Sequence, residues 1–265
     1  MFIDIFTIFN PQTIIIFILI FTRLSTMIAV APLFSTYPIP IQTKIWFMAI
    51  VSFIILPFAQ TSSTTIIPSS MPLLLCFMLK EAIIGFTIGF VSNFLFNAVQ
   101  MAGHLISMQS ALSYSNVLNP TSGDQTPVIS EFYVYLLTII FLLLNCHHTM
   151  IFALYKSFET LPIGFESAPV NGVLLEFILK SSAGIFSIAL NFILPIFCIM
   201  FIFQVLLGIV AKTMPQMNIF MVAMPFQITL AIILMIAFLK PMFEYLCELV
   251  QTYFITILKV FSNSI

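Results

Sequence analysis

Long apolar stretches separated by short polar segments dominate this sequence of 265 residues. A helix that crosses a bilayer needs roughly 20 mostly apolar residues, and by that measure the chain divides into about six such segments. They cover residues 13–34, 45–58, 73–106, 132–152, 174–210 and 219–239. The pattern therefore predicts an all-α protein that passes through a membrane several times.

Two of these segments are longer than one crossing requires. Residues 73–106 contain charged positions and residues 174–210 contain Pro195. Each segment is therefore predicted to be either one long bent helix that projects beyond the bilayer or two shorter elements. Residues 242–261 place a few charges among apolar residues, a spacing that predicts an amphipathic helix at the membrane interface.

Small residues recur in the segment 73–106. Gly85, Gly89 and Gly103 lie where backbones of neighbouring helices can approach each other closely. Because helices in membranes pack through such small residues, this face is predicted to contact protein and not lipid.

Composition narrows the possible classes of function. The chain is 61% hydrophobic and 6% charged, with a mean hydropathy of +1.18, whereas soluble domains are about a quarter charged. A net charge of −1 provides no basic surface for phosphates, which argues against nucleic-acid binding. The sequence has no nucleophile elbow, P-loop, dinucleotide fingerprint or spaced metal-ligand set, so we predict neither an enzyme nor a cofactor.

Charged residues inside the apolar segments are the first candidates for function, because a charged side chain in such a segment costs free energy. The guanidinium of Arg23, in the first segment, needs a carboxylate, carbonyl groups or water, and Glu81 or another acid is its expected partner. Lys80 and Glu81 are adjacent, so on a helix they point about 100° apart and contact different neighbours. Two interpretations stay open, namely structural charges at an interface and a proton or substrate site of an autonomous secondary transporter.

The longest polar interruption begins at Ser107 and ends at residue 127. It is rich in Ser, Asn and Gln, nearly uncharged, and ends in turn-forming residues. An exposed loop would carry more Lys and Glu, whereas a loop inside a protein-lined cavity would be polar but neutral. The segment is therefore interpreted either as lining or plugging a pore, or as a plain loop outside the membrane.

Short motifs in a fixed order cover nearly the whole chain, from about residue 20 to residue 240. They include Arg23, Pro32, Ile39-Pro40, Lys80-Glu81 with Gly85, Gly103, Gln109, Asn119-Pro120, Leu161-Pro162-Ile163-Gly164, and Pro215-Gln216 with Asn218-Ile219-Phe220. Together these motifs resemble the FliR family of flagellar type III export-gate proteins and its relatives in virulence injectisomes, the FliR/SctT family. Departures from the family pattern stand at Cys146, Gln204, Lys212 and Gln227.

The resemblance implies a non-enzymatic subunit of the flagellar protein export gate, in the bacterial inner membrane at the flagellar basal body. One copy would assemble with FliP and FliQ homologues, next to FlhB and FlhA homologues, and pass unfolded flagellar export substrates. Members of the family look like a FliP-like part, here about residues 1–172, fused to a FliQ-like part, about residues 173–265, in one integral-membrane domain with long kinked helices.

The resemblance also implies roles for particular residues. The plug that narrows the pore would contain Ser107, Met108, Gln109, Ser110, Ser113, Asn116 and Asn119. Contacts between subunits would be held by the charges of Arg23, Lys80 and Glu81. Structural motif positions would be Pro32, Pro40, Gly85, Gly103, Pro120, Pro162, Pro215, Gln216 and Asn218.

Overall fold

A computed structural model describes residues 10–36, 39–61, 70–112, 127–163, 172–214, 216 and 219–262, and these ranges contain helices and turns but no strand. The helices are α1 (Pro11–Val30), α2 (Pro32–Thr36), α3 (Ile41–Thr61), α4 (Met71–Gln109), α5 (Val128–Leu143), α6 (Cys146–Thr160), α7 (Gly172–Thr213) and α8 (Ile219–Ser262). The prediction of an all-α fold is confirmed.

Five helices of the described chain are long and apolar enough to cross a membrane, namely α1, α3, α4, α7 and α8. The number rises to six if the pair α5 and α6 forms one bent span. The multi-pass architecture predicted from the apolar segments is therefore confirmed, although several boundaries differ.

Two predicted segments are each divided. Within residues 13–34, α1 ends at Val30 and α2 begins at Pro32. The break occurs at Ala31 because the residue before a proline is driven out of the helical conformation. Residues 132–152 are interrupted at Leu144 and Asn145, where Asn145 has a left-handed backbone with φ 53°. Asn is one of the few residues that enters this conformation at modest cost, and a right-handed helix cannot continue through it.

The two overlong segments are each one continuous helix, of 39 residues in α4 and 42 residues in α7. Residues 242–261 are helical as predicted but do not form a helix of their own, because α8 continues for 44 residues through this region, and their position at the membrane interface stays a prediction. Its apolar side chains are buried at a spacing of three or four residues, which shows that this face packs against protein. They are Met242, Leu246, Val250, Phe254 and Ile257.

The chain forms two compact units. The first contains residues 1–94, 145–182 and 252–265, and the second contains residues 95–144 and 183–251. The predicted division near residue 172 into FliP-like and FliQ-like parts is a different kind of boundary and stays a prediction.

Each unit has its own apolar core. In the first unit, Leu19 and Leu24 of α1 and Ile88 of α4 are among the side chains that are almost completely buried. In the second unit, the ring of Phe141 packs edge-on against Phe96 at 5.8 Å between centroids. Aromatic pairs in this geometry add to the stabilisation that burial itself provides.

Candidate functional site

Two glycines bring α4 into direct contact with the backbone of α1. A Cβ atom at Gly85 would collide with the carbonyl oxygen of Arg23, and one at Gly89 would lie 2.5 Å from the carbonyl oxygen of Met27. Real Cβ atoms essentially never lie closer than 3.0 Å to another heavy atom. One turn further, Nδ2 of Asn93 donates a hydrogen bond to the carbonyl of Val30 at 3.3 Å. From one contact to the next the residue number rises in both helices, so α1 and α4 run in the same direction. The predicted packing role of these two glycines is confirmed.

Arg23 lies in this contact with no exposed surface. Its Nε donates to Oε2 of Glu81 at 2.5 Å, its Nη1 to Oγ of Ser157 at 3.0 Å, and its Nη2 to the carbonyl oxygen of Leu161 at 3.0 Å. The guanidinium carbon also lies 4.0 Å from the ring centroid of Phe158. Every nitrogen of the guanidinium therefore has a partner, and one of its faces rests on an aromatic ring.

The ion pair between Arg23 and Glu81 is buried, with side-chain exposures of 0% and 4%. An unpaired charge at such a position would cost several kcal/mol, which is why a buried charge is retained with a well-placed partner. Ser157 Oγ donates onward to the carbonyl of Leu154 at 2.6 Å. The network therefore joins α1, α4 and α6, together with the residue that follows α6.

The expected pairing of Arg23 with Glu81 is confirmed. Lys80 is half-buried and does not join this ion pair; its Nζ lies 5.6 Å from the ring centroid of Phe77. This agrees with the expectation that the adjacent side chains of Lys80 and Glu81 point about 100° apart. A role of these three charges at subunit contacts stays a prediction. Since Arg23 and Glu81 have almost no exposed surface, they would act there by fixing the helices and not by touching another subunit.

Sequence reasoning missed the partners of Arg23 on α6. Leu161 belongs to one of the sequence motifs, but nothing in the spacing connects it, Ser157 or Phe158 to a residue more than a hundred positions earlier. The available signal was the polar Ser157 among apolar residues on a helix, which by itself identifies no partner.

The predicted pore segment begins inside α4. Ser107, Met108 and Gln109 form the last turn of this helix, so the loop starts at Ser110. The hydroxyls of Ser107 and Ser110 donate to the carbonyls of Gly103 and Ser107 at 2.9 and 3.1 Å. Because both hydroxyls bond to carbonyls of their own helix, these polar residues are compatible with its last turn.

The tip of α4 has two further features. The side chain of Met108 is 69% exposed. The carbonyl oxygen of Gln109 accepts a hydrogen bond from Nε2 of Gln204 at 3.3 Å, whereas its side-chain Oε1 is buried without a partner among the described residues. The other predicted plug residues, Ser113, Asn116 and Asn119, lie outside the described residues.

The structural motif positions that the structure describes have local roles. Pro32 begins α2, and the carbonyl of Pro40 accepts hydrogen bonds from the amides of Thr43 and Lys44 at the start of α3. A Cβ at Gly103 would collide with the backbone of Ser130. Pro162 follows α6, and Gln216 is exposed in a turn. The remaining motif positions, Pro120, Pro215 and Asn218, lie outside the described residues.

Comparisons with known proteins identify the family of this chain. Residues 14–253 match the family described as Bacterial export proteins, family 1. The flagellar biosynthetic protein FliR of Bacillus subtilis strain 168 is 32% identical over 236 residues, which are 86% of this chain and 87% of the relative. FliR of Escherichia coli K12 is 30% identical over 226 residues, covering 85% and 84%, and FliR of Aquifex aeolicus is 27% identical over 229 residues, covering 86% of each chain. The chain therefore belongs to family 1 of the bacterial export proteins.

Proposed function

We propose that this chain is a non-enzymatic subunit of the flagellar type III protein export gate in the bacterial inner membrane. There it helps to form and seal the channel through which unfolded flagellar proteins pass. Its partners are FliP and FliQ homologues in a hetero-oligomeric gate, with FlhB and FlhA homologues next to it. Family membership, the flagellar names of the relatives and the apolar helices support this proposal.

The observation that carries the proposal is the apolar surface left uncovered on α7 and α8. In the apolar part of each helix only 17% of the residues are buried, compared with 39% in α1 and 44% in α4. The exposed side chains of α7 include Phe201, Ile202, Val205, Leu206, Ile209 and Val210. Apolar surface of this extent marks contact with lipid or with other proteins, and a subunit of a larger assembly needs such a surface.

Two glycines of α7 point to protein as one of these contacts. A Cβ atom at Gly184 or Gly208 would meet nothing within 4 Å, so packing within the chain does not require glycine at either position. A glycine inside a helix costs roughly 0.5–1 kcal/mol relative to alanine. Small residues on an uncovered helix face allow close approach of a second helix, which supports contact with a neighbouring subunit.

The tip of α4 supports the sealing role. Met108 presents a flexible and polarisable side chain of the kind that fills irregular gaps. Gln109 next to it has a buried side-chain oxygen without a partner among the described residues, and such an oxygen is suited to accept a hydrogen bond from a group outside them. We place the plug in the segment that begins with these residues.

The burial of the ion pair between Arg23 and Glu81 argues against an autonomous transporter. A proton or substrate site must reach water or ligand during the cycle, whereas Arg23 and Glu81 are almost without exposed surface. In addition, each guanidinium nitrogen of Arg23 already has a partner. The pair has the arrangement of a structural anchor.

The proposal is tested by purification of the tagged chain alone and together with FliP and FliQ homologues from the same organism. Alone, the chain should aggregate or be degraded, because its apolar faces would be left uncovered. Co-expression should give one complex of defined mass by native mass spectrometry. A monodisperse monomer that transports protons in vesicles would overturn the gate in favour of the transporter.

A further inference from the structure

An open apolar groove lies on the surface of the first unit, with a volume of about 680 Å³. Within the described chain it is formed by α3, α6 and the end of α8. Its lining includes Ile54, Phe58, Ile151, Phe152, Tyr155 and Leu258. The ring of Phe58 meets Tyr155 edge-on at 6.0 Å between centroids, and Phe152 stacks on Tyr155 at 6.2 Å, so that three aromatic rings form one wall. The volume lies in the range of about 300–1,000 Å³ that is typical of ligand sites.

The groove is continuous with an outward face of α3. Trp46, Ile50, Ile54 and Phe58 follow one another at intervals of four residues, and each is more than half exposed. The first is the one tryptophan of the sequence, a residue that is enriched at membrane interfaces. The twelve steps of the helix from Trp46 to Phe58 span roughly 18 Å, which is slightly more than half of a bilayer core of about 30 Å. With Trp46 at one interface, the groove between Ile54 and Phe58 lies across the middle of the bilayer.

The lining is poorly suited to a helix from another protein. Helices approach closely in membranes through Gly, Ala, Ser and Thr, as α1 and α4 do here at Gly85 and Gly89. The groove has one such residue, Thr149, and its other lining residues are Ile, Phe, Tyr, Leu and His. A thin and flexible acyl chain fits between these bulky side chains more readily than a helix does.

A charged pair stands beside the aromatic wall. Nζ of Lys156 lies 5.9 Å from the ring centroid of Phe152 and 2.7 Å from Oε2 of Glu159. Both side chains are partly exposed, at 31% and 40%. An ammonium and a carboxylate next to an apolar groove are complementary to the phosphate and amine of a zwitterionic phospholipid headgroup.

We propose that this groove binds one zwitterionic phospholipid of the bilayer. Its headgroup lies at Lys156 and Glu159, and one acyl chain runs from Tyr155 toward Ile54. The lipid fills a surface that the chain itself leaves open, and it couples α3 to α6 within the first unit.

The proposal is tested in native membranes with fatty acids that carry a photoactivatable diazirine and an alkyne. Cells that assemble the apparatus incorporate them into phospholipid, and after illumination the tagged full-length chain is purified and its adducts are mapped by mass spectrometry. We expect adducts on Phe58, Phe152 and Tyr155. A diazirine near the ester should label Tyr155, and one near the methyl end should label Ile54.

Two substitutions of isoleucine by tryptophan, one inside the groove and one outside it, provide the test and its control. Ile151→Trp fills the groove and should abolish its adducts, whereas Ile139→Trp, at an exposed position of α5 outside the groove, should leave them unchanged. A wild-type map with adducts on Trp46 and Ile50 but none in the groove would overturn the proposal, because protein would then fill the groove. Reversed labelling, with the methyl end at Tyr155, would refute the headgroup position. The wild-type map alone decides the question if Ile151→Trp does not accumulate.

Discussion

Removal of the Glu81 carboxylate is the sharpest test of the buried network. Glu81→Ala leaves the Arg23 guanidinium with Ser157 and the carbonyl of Leu161 as hydrogen-bond partners, but with no counter-charge, in a position without exposed surface. Loss of one partner of a buried ion pair costs about 3–5 kcal/mol, because the other charge stays buried and uncompensated. Native proteins are stable by only about 5–15 kcal/mol, so much of the stability would be lost.

The measurement is thermal unfolding of the full chain in its co-purified complex, followed by fluorescence-detected size exclusion. For a chain of this length, 1 kcal/mol shifts the midpoint by about 2–4 °C, so the expected loss is roughly 6–20 °C. Glu244→Ala is the matched control. It removes an exposed carboxylate of α8, and substitutions of exposed residues usually change stability by no more than about 0.5 kcal/mol.

A double variant distinguishes a structural pair from a functional one. Arg23→Met combined with Glu81→Leu replaces both charges by apolar side chains, which is often neutral or stabilising at buried sites. We expect the double variant to recover most of the midpoint lost in Glu81→Ala and to export flagellar protein. Equal midpoints for Glu81→Ala and Glu244→Ala would refute the buried-anchor interpretation, and a stable double variant without export would indicate that the charges themselves act in transport.

Three further predictions follow from contacts of the described residues. Gly85→Ala should lower the unfolding midpoint of the complex through a collision with the backbone of Arg23 worth about 1–3 kcal/mol, and an unchanged midpoint would contradict the packing of α1 on α4. Ser157→Ala should cost about 1–3 kcal/mol in denaturant unfolding, because it removes the partner of a buried Arg23 nitrogen, and an unchanged midpoint would mean that this bond contributes nothing. Deletion of residues 114–118 should leave the complex at normal abundance but make cells permeable to small solutes, and intact impermeability in a normal complex would refute the plug.

Much of the fold could be predicted because the physical signal is local. Apolar length identifies each candidate span, since a helix in lipid must be apolar over the thickness of the bilayer. The pairing of Arg23 with Glu81 was also accessible, because an arginine in an apolar helix requires a carboxylate and few are available in this sequence. Both inferences use a rule that applies without knowledge of the packing.

Other features depend on three-dimensional context that the sequence does not display. The bond from Arg23 to the carbonyl of Leu161 connects an arginine to a backbone carbonyl, and every residue of the chain has such a group. Asn145 permits a left-handed backbone without requiring it, so the break between α5 and α6 could not be distinguished from a continuous helix. Close approach at Gly103 was expected in general, but its partner, the backbone of Ser130, could not be specified.

The proline positions show why the sequence did not decide whether each long apolar segment is one helix or two. Pro195, Pro225 and Pro241 lie inside α7 and α8, and both helices continue through them. A proline removes one hydrogen bond of the helix, but in apolar surroundings the freed carbonyl can be satisfied again by nearby hydroxyls, water or neighbouring helices. The same residue that ends a helix in a soluble protein therefore gives no boundary here, and the buried side chains that follow Pro241 decide that α8 remains one helix.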